Sequence, residues 1–335
     1  MDLPLSRVLA LLLFSITVWP TAGQSAVFSA GDLLVGGRPG YLFQGGTAYI
    51  ENYGSSGVFQ QHAALIDGGH PRDMIMVGSD VLVADQTLVT RLSPDGTLTP
   101  AFPVFFEALA RALSADIQGN IYVGEALGVA RIFKISPSGT VLGRFSIPLE
   151  QFTISTMDLE PDQCTMLYAS GGQHVQRYDV CTGSALANFA QLPAGTVTVI
   201  RILTSGNVLV GSTSGITLFD ASGRSLQTYL TRESVLSLGI DSDETKAWVG
   251  VSISPSGSRT FLMEKLDLSS GSIVVGPVDI QIPNRPVFSA ECLLVAGTLR
   301  VAQRSSAMEA VPSLSAPLLL LMLITVAAIA LRRLN

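Results

Sequence analysis

The sequence predicts an all-β fold, a β-propeller of radially arranged four-stranded blades, on three observations. First, a turn residue followed by a short apolar strand keeps returning: "GDLLVGG" from Gly31, "SDVLVAD" from Ser79, "GNIYVGE" from Gly119, "CTMLYAS" from Cys164, "GNVLVGS" from Gly206, "KAWVGV" from Lys246 and "ECLLVAG" from Glu291. Second, a strand that alternates apolar and polar residues follows and stops at a tight turn, as in "VTRLSPDG", "IFKISPSG" and "ITLFDASG"; these strands end at Gly57, Gly96, Gly139, Gly183, Gly223 and Gly271. Third, the phrase recurs at roughly the 40-residue period of a propeller blade.

Each ingredient has a physical reason. Val, Ile, Leu and Tyr suit a pleated, half-buried surface, and the alternation in "RIFKIS" turns one face inward and one outward. Gly, Asn, Asp and Ser at the junctions supply the positive-φ and side-chain-capped turns that hairpins need. A lone sheet of this kind cannot bury both faces, whereas radial stacking does; a β-sandwich would not predict so regular a phrase.

The number of blades follows from the ends of the repeat. "VFSAGDLLVG" from Val27 and "VFSAECLLVAG" from Val287 are near copies, so the chain begins and ends with the same pattern. Six units are complete and a further one breaks off after "TLRVAQR". An N-terminal strand from about Gln24 would complete it by pairing the two ends, so of six or seven blades, seven are favoured.

The chain has 335 residues, 47% hydrophobic and 14% charged, and its mean hydropathy of +0.44 is high for a soluble protein. Part of that excess sits in the two ends. At the start, Arg7 precedes an apolar stretch at 8–18 and the small residues Thr21, Ala22 and Gly23, the three regions of a secretory signal peptide over 1–23 with cleavage near Gly23. The folded segment is then 24–304, with no linker-like run dividing it. The net charge of -6 repels phosphate backbones, which argues against a nucleic-acid partner.

Among the three cysteines, Cys164 opens one strand and Cys181 closes the next. In a hairpin centred on Gly172 and Gln173 the two fall opposite each other, with Cα atoms about 4.5–5.5 Å apart, so a disulfide is expected. Cys292, in an apolar strand with no histidine in its unit, reads as a buried free thiol. His62, His70 and His174 lack zinc-site spacing and read as loop or surface residues. Tyr122, Tyr168, Tyr178 and Trp248 sit within strands as blade-to-blade packing, a glycan or peptide platform being the alternative.

Carboxylates are the better site candidates. Asp116, Asp158 and Asp241 stand just before the apolar strand of their units, where propeller chains pass near the central channel. Converging there, they would hold Ca²⁺ or Mg²⁺ through oxygen ligands; bonded to their own turns, they would hold none, and no cofactor is the favoured reading.

After Arg304 come a polar linker, 305–310, the pentapeptide Val311, Pro312, Ser313, Leu314, Ser315, and an apolar stretch at 316–331 interrupted only by Thr325. As a helix that stretch is about 24 Å long, and with the pentapeptide it reaches membrane-spanning length. Arg332 and Arg333 would hold the end in the cytoplasm and leave the propeller outside.

Two resemblances add to this reading. The unit "SADIQGNIYVGEALGVARIFKISPSGTVLGRF", from Ser114 to Phe145, resembles an NHL-type propeller repeat, most clearly around Asn120 and Asn207. The tail over 311–335 resembles the IPTL-CTERM sorting signal, related in design to the PEP-CTERM tails of Gram-negative bacteria. Val311, Pro312, Leu314 and Ser315 fit it, and Ser313 stands where the family prefers threonine. That resemblance implies a membrane-embedded sorting protease as partner, removal of the helix and delivery to the cell surface. The expectation is thus an exported cell-envelope propeller that binds protein or glycan as a scaffold. The alternative is a divalent-cation-dependent hydrolase or lyase, resembling the gluconolactonase-like enzymes of six-bladed design.

Overall fold

The computed structural model describes residues 26–39, 47–66, 69–101, 106–126, 130–151, 153–229, 234–253, 260–279, 288–298 and 300. Among them are twenty-four strands in six four-stranded antiparallel sheets. Blade 2 is β4 (Pro71–Val77), β5 (Asp80–Asp85), β6 (Leu88–Leu92) and β7 (Leu98–Pro100), from the channel outward. Blade 3 is β8 (Leu109–Ala115), β9 (Ile121–Ala126), β10 (Arg131–Ile135) and β11 (Val141–Ser146). Blade 4 is β12 (Thr156–Leu159), β13 (Thr165–Ala169), β14 (His174–Asp179) and β15 (Ser184–Gln191). Blade 5 is β16 (Val197–Ile202), β17 (Val208–Ser212), β18 (Gly215–Phe219) and β19 (Ser225–Tyr229). Blade 6 is β20 (Ser234–Ile240), β21 (Lys246–Ile253), β22 (Thr260–Asp267) and β23 (Ile273–Asp279).

Blade 1 closes the ring. Its outer three strands, β1 (Leu33–Pro39), β2 (Ala48–Tyr53) and β3 (Phe59–Ile66), come from the start of the repeat, and its innermost strand, β24 (Phe288–Val295), comes from the end. The two near copies pair with each other, Leu33 opposite Val295 and Gly36 opposite Cys292. This corrects the favoured seven blades to six. The first six apolar phrases are the second strands of blades, but the seventh, "ECLLVAG", lies in an innermost strand and completes blade 1 instead of starting another. Close packing at this seam excludes larger residues, since a Cβ on Gly36 would lie 2.5 Å from Cys292 Sγ.

The turns that follow each third strand need glycine. Gly96, Gly139 and Gly223 sit at φ of 86°, 88° and 84°, where a Cβ is costly. The core is laid down between blades. Trp248, Tyr122 and Tyr168 are all fully buried, the two tyrosines packing with Tyr178 between blades 3 and 4, and Trp248 packing with Tyr49 and Tyr53 between blades 6 and 1. These aromatics are therefore packing residues.

Cys164 and Cys181 form a disulfide with a Cα separation of 5.2 Å. The strand register, Thr165 opposite Asp179, sets Val180 rather than Cys181 opposite Cys164, one residue off the expected hairpin; the bridge reaches from the turn before β13 to the turn after β14 and ties these two turns of blade 4 together. Replacing both by serine is expected to lower stability by about 3 kcal/mol through the lost loop constraint, read from urea unfolding. An unchanged midpoint would refute this. Cys292 is a buried free thiol. The segments read as a signal peptide and a sorting pentapeptide, and the terminal arginines, lie outside the described residues, and among the described residues no helix is long and apolar enough to cross a membrane.

Candidate functional site: the central channel

Six innermost strands, β24, β4, β8, β12, β16 and β20, adjoin one another in a closed ring around the axis. Each is an edge strand of its sheet, so its channel-side N–H groups have no strand to pair with and need other acceptors. Side chains of the preceding blade supply them. Asp73 Oδ2 accepts from Leu113 N–H at 2.9 Å, Ser114 Oγ from Leu159 at 3.2 Å, Thr156 Oγ1 from Ile200 at 3.1 Å and Asp158 Oδ2 from Ile202 at 3.0 Å.

Asp158, one of the three aspartates singled out in the sequence, belongs to this ring and sits in a buried charge quartet. Arg300 Nη1 lies 3.8 Å from Asp158 Oδ2, and Asp73 Oδ1 receives Arg300 Nη2 at 3.3 Å and Arg201 Nη2 at 3.4 Å. Arg201 also donates from Nε to Leu238 O and from Nη1 to Ile200 O. Burial pushes the Asp158 carboxyl up against the pull of the two arginines, and burial, reinforced by Arg300, lowers Arg201 to about 10. Two carboxylates and two guanidinium groups leave the quartet electrically balanced. It separates a cavity of about 30 Å³ beside Ile240 and Thr298 from one of about 20 Å³ beside Ser155 and Thr198.

Asp116 and Asp241 lie elsewhere. Asp116 caps its own turn, accepting from Gln118 and Asn120 N–H at 3.0 and 2.8 Å, and meets Lys134 Nζ at 3.1 Å. Asp241 meets Lys265 Nζ at 2.7 Å. Each lysine lies over an aromatic ring of the neighbouring strand, Lys134 over Tyr122 at 5.1 Å and Lys265 over Trp248 at 5.2 Å. The same device thus recurs in blades 3 and 6, clamping the first three strands with an acid, a lysine and a ring. The three aspartates do not converge; among the described residues the one group of acids, thiols and imidazoles with metal-ligand spacing is Cys164, Asp179 and Cys181, whose sulfurs are joined to each other.

Of the histidines only His70, which is buried, departs from the expectation of loop or surface positions. His62 lies within strand β3 but is exposed, 2.9 Å from the buried carboxylate of Glu51. His174 fits the surface reading, its Nδ1 2.8 Å from Glu150. Sequence reasoning missed Asp73, Arg201 and Arg300; the signal was a charge set among apolar residues of an inner strand, as in "VTVIRI".

Outside the channel, Asp220 and Asp267 serve turns. Hydrogen bonds from Ser222 and from the Arg224 backbone hold Asp220 down at about 2, and those from Ser269 and Ser270 hold Asp267 well below the usual carboxylate range. Such depressed acids stabilise the fold above their unfolded value, about 3.9, and the benefit is lost as pH falls through the folded value. Buried Glu51 and Asp85 are pushed the opposite way, up, by desolvation, and do not share in this loss. The melting temperature is therefore expected to fall between about pH 4 and pH 2, less steeply in Asp220→Asn; identical profiles would refute the assignment.

No family model matches the chain and no curated protein matches it. Solved structures do. A protein of unknown function from Bacteroides caccae aligns over 79% of this chain and 98% of its own at 14% identity and a TM-score of 0.60. A chain of a nidogen–laminin complex aligns over 80% and 99% at 12% identity and 0.61. A gluconolactonase from Xanthomonas campestris aligns over 67% and 95% at 12% identity and 0.52. At these identities the likeness is one of fold.

Proposed function

We propose that the chain is an exported propeller that serves as a binding scaffold at the cell envelope or surface of a Gram-negative bacterium, docking protein or glycan on its loop-bearing faces. The observation that carries this reading is the size of the cavities on either side of the charge quartet among the described residues: at about 30 and 20 Å³, they fall far below the roughly 300–1,000 Å³ of small-molecule sites. The larger space, about 650 Å³, is an open groove on the outer surface between blades 5 and 6, beside Leu203, Glu244 and Asp267. The disulfide supports an oxidising compartment, and the N-terminal and C-terminal segments support export and membrane retention through the tail helix. On the sorting reading the mature protein lacks Arg332 and Arg333; on a plain-anchor reading it keeps them, and intact mass tells the two apart.

The hydrolase alternative needs a cation held by carboxylates, and Asp116, Asp158 and Asp241 do not fit that donor set, two being paired with lysines and the third lying in the arginine quartet. Melting of the full chain with chelator, Ca²⁺ or Mg²⁺ tests the scaffold reading, because a ligand that binds only the folded state raises its stability. The expected result is an unchanged melting temperature. A saturable rise with either cation would overturn it.

A further inference from the structure

The disulfide lies where thiols reach it. Cys181 is exposed and Cys164 half-buried, in two neighbouring turns at one end of blade 4, and exposed bridges are the labile ones. Neither turn depends on the bridge for its shape. Asp162 Oδ1 accepts from the Cys164 and Thr165 N–H groups at 2.9 and 2.8 Å, and Asp179 Oδ1 from those of Cys181 and Thr182 at 2.8 and 2.9 Å. Val180 N–H to Cys164 O at 2.8 Å ties the turns to each other. The two cysteines, 5.2 Å apart at Cα, therefore stay side by side when the sulfur–sulfur bond is open. Asp179 adds a third donor, for one of its oxygens and the two sulfurs lie within 4.8 Å of one another.

We propose that, once reduced, this corner of blade 4 is a zinc site, with Cys164 Sγ, Cys181 Sγ and the Asp179 carboxylate as ligands and water in the fourth position. Two thiolates and a carboxylate suit a tetrahedral, borderline-soft ion rather than Ca²⁺ or Mg²⁺, so the site is distinct from the hard-cation alternative set aside above. Asp179 serves while capping its turn, because a carboxylate offers about four acceptor positions, more than the Cys181 and Thr182 donors fill. Hydrogen bonds from Thr182 hold its carboxyl below the usual range, which keeps it ionised. The reductant is a dithiol, the paired cysteines of a thiol–disulfide oxidoreductase. Its thiolate attacks the exposed Cys181 Sγ; the sulfur–sulfur bond breaks, and the electron pair leaves on Cys164 Sγ, which takes up a proton. The second thiol of the reductant then attacks its own first sulfur in the mixed disulfide, releasing Cys181 as a thiolate and leaving the reductant oxidised. Zn²⁺ displaces the remaining thiol proton as it binds. The reverse steps expel the ion, so bridge and metal exclude each other.

The inference goes beyond the scaffold reading, since this corner would take the ion whether or not the faces dock a partner. Its test is a Co²⁺ titration of the full chain in detergent, reduced and then freed of reductant under argon, with Co²⁺ as the coloured stand-in for Zn²⁺. A thiolate-to-cobalt charge-transfer band that saturates at one ion per chain and is abolished by added Zn²⁺ is expected in the reduced chain and not in the oxidised one. Zn²⁺ is likewise expected to raise the melting temperature of the reduced chain alone. The band is expected to vanish in Cys164→Ser, and affinity to weaken about tenfold or more in Asp179→Asn, since even outer-shell partners cost that much. If a variant fails to fold, the oxidised parent, identical in sequence, remains the control. Absence of a saturable band in the reduced chain, an equal band in the oxidised chain or in folded Cys164→Ser, or undiminished affinity in Asp179→Asn overturns the proposal.

Discussion

Asp158→Ala is expected to destabilise the propeller by about 3–5 kcal/mol, the cost of breaking a buried ion network on one side. The substitution leaves Arg300 and Arg201 facing each other beside Asp73 alone, and it removes the acceptor of the Ile202 N–H. Both losses fall at buried positions in the centre of the ring, where an uncompensated charge and an orphaned N–H are expensive. Asp158→Asn keeps an oxygen for Ile202 and is expected to cost less, and Asp158→Ala combined with Arg300→Met is expected to recover part of the loss. Chemical unfolding of the three variants measures this. A single variant as stable as the parent chain would show that the quartet only fills space.

A chain ended at Val287 is expected to lose cooperative folding, whereas one ended at Arg304 keeps it. The shorter chain lacks β24 and with it the buried Cys292, Leu293, Leu294 and Val295, and uncovers Leu33, Leu34 and Val35 of β1. At about 1.5–3 kcal/mol for each large apolar side chain, the loss rivals a whole domain stability of about 5–15 kcal/mol. The inner wall would also be broken between β20 and β4, which flank β24. Thermal melting followed by circular dichroism separates the cases; a sigmoidal transition in the shorter chain near that of the longer one would sink the closure argument.

The candidate site was partly legible. Asp158 was found because it precedes an apolar strand, and that position does bring it to the axis. Asp116 and Asp241 stand two residues further along the equivalent strands, at the ensuing turn, and there each meets a lysine instead. A spacing difference of two residues keeps the same face of a strand but moves the side chain along it by about 6.6 Å, from the channel wall to its rim. Arg201 and Arg300 escaped notice because their partners come from other blades: Arg201 lies 128 positions from Asp73, and no local pattern joins them.

Local chemistry determined the rest. Alternation, glycine turns and their period specified an all-β repeat, and the separation of Cys164 from Cys181 about one hairpin specified the disulfide, because both depend on residues close in the chain. Only the tertiary structure decided that six blades close the ring and that "ECLLVAG" is an inner strand. Alternation and apolar content say that a strand is buried; which slot it fills depends on the edge left open elsewhere, and here that edge is β1, more than 250 residues earlier, where Gly36 meets Cys292. The charges at the axis follow the same logic, since they acquire partners only once the ring has closed.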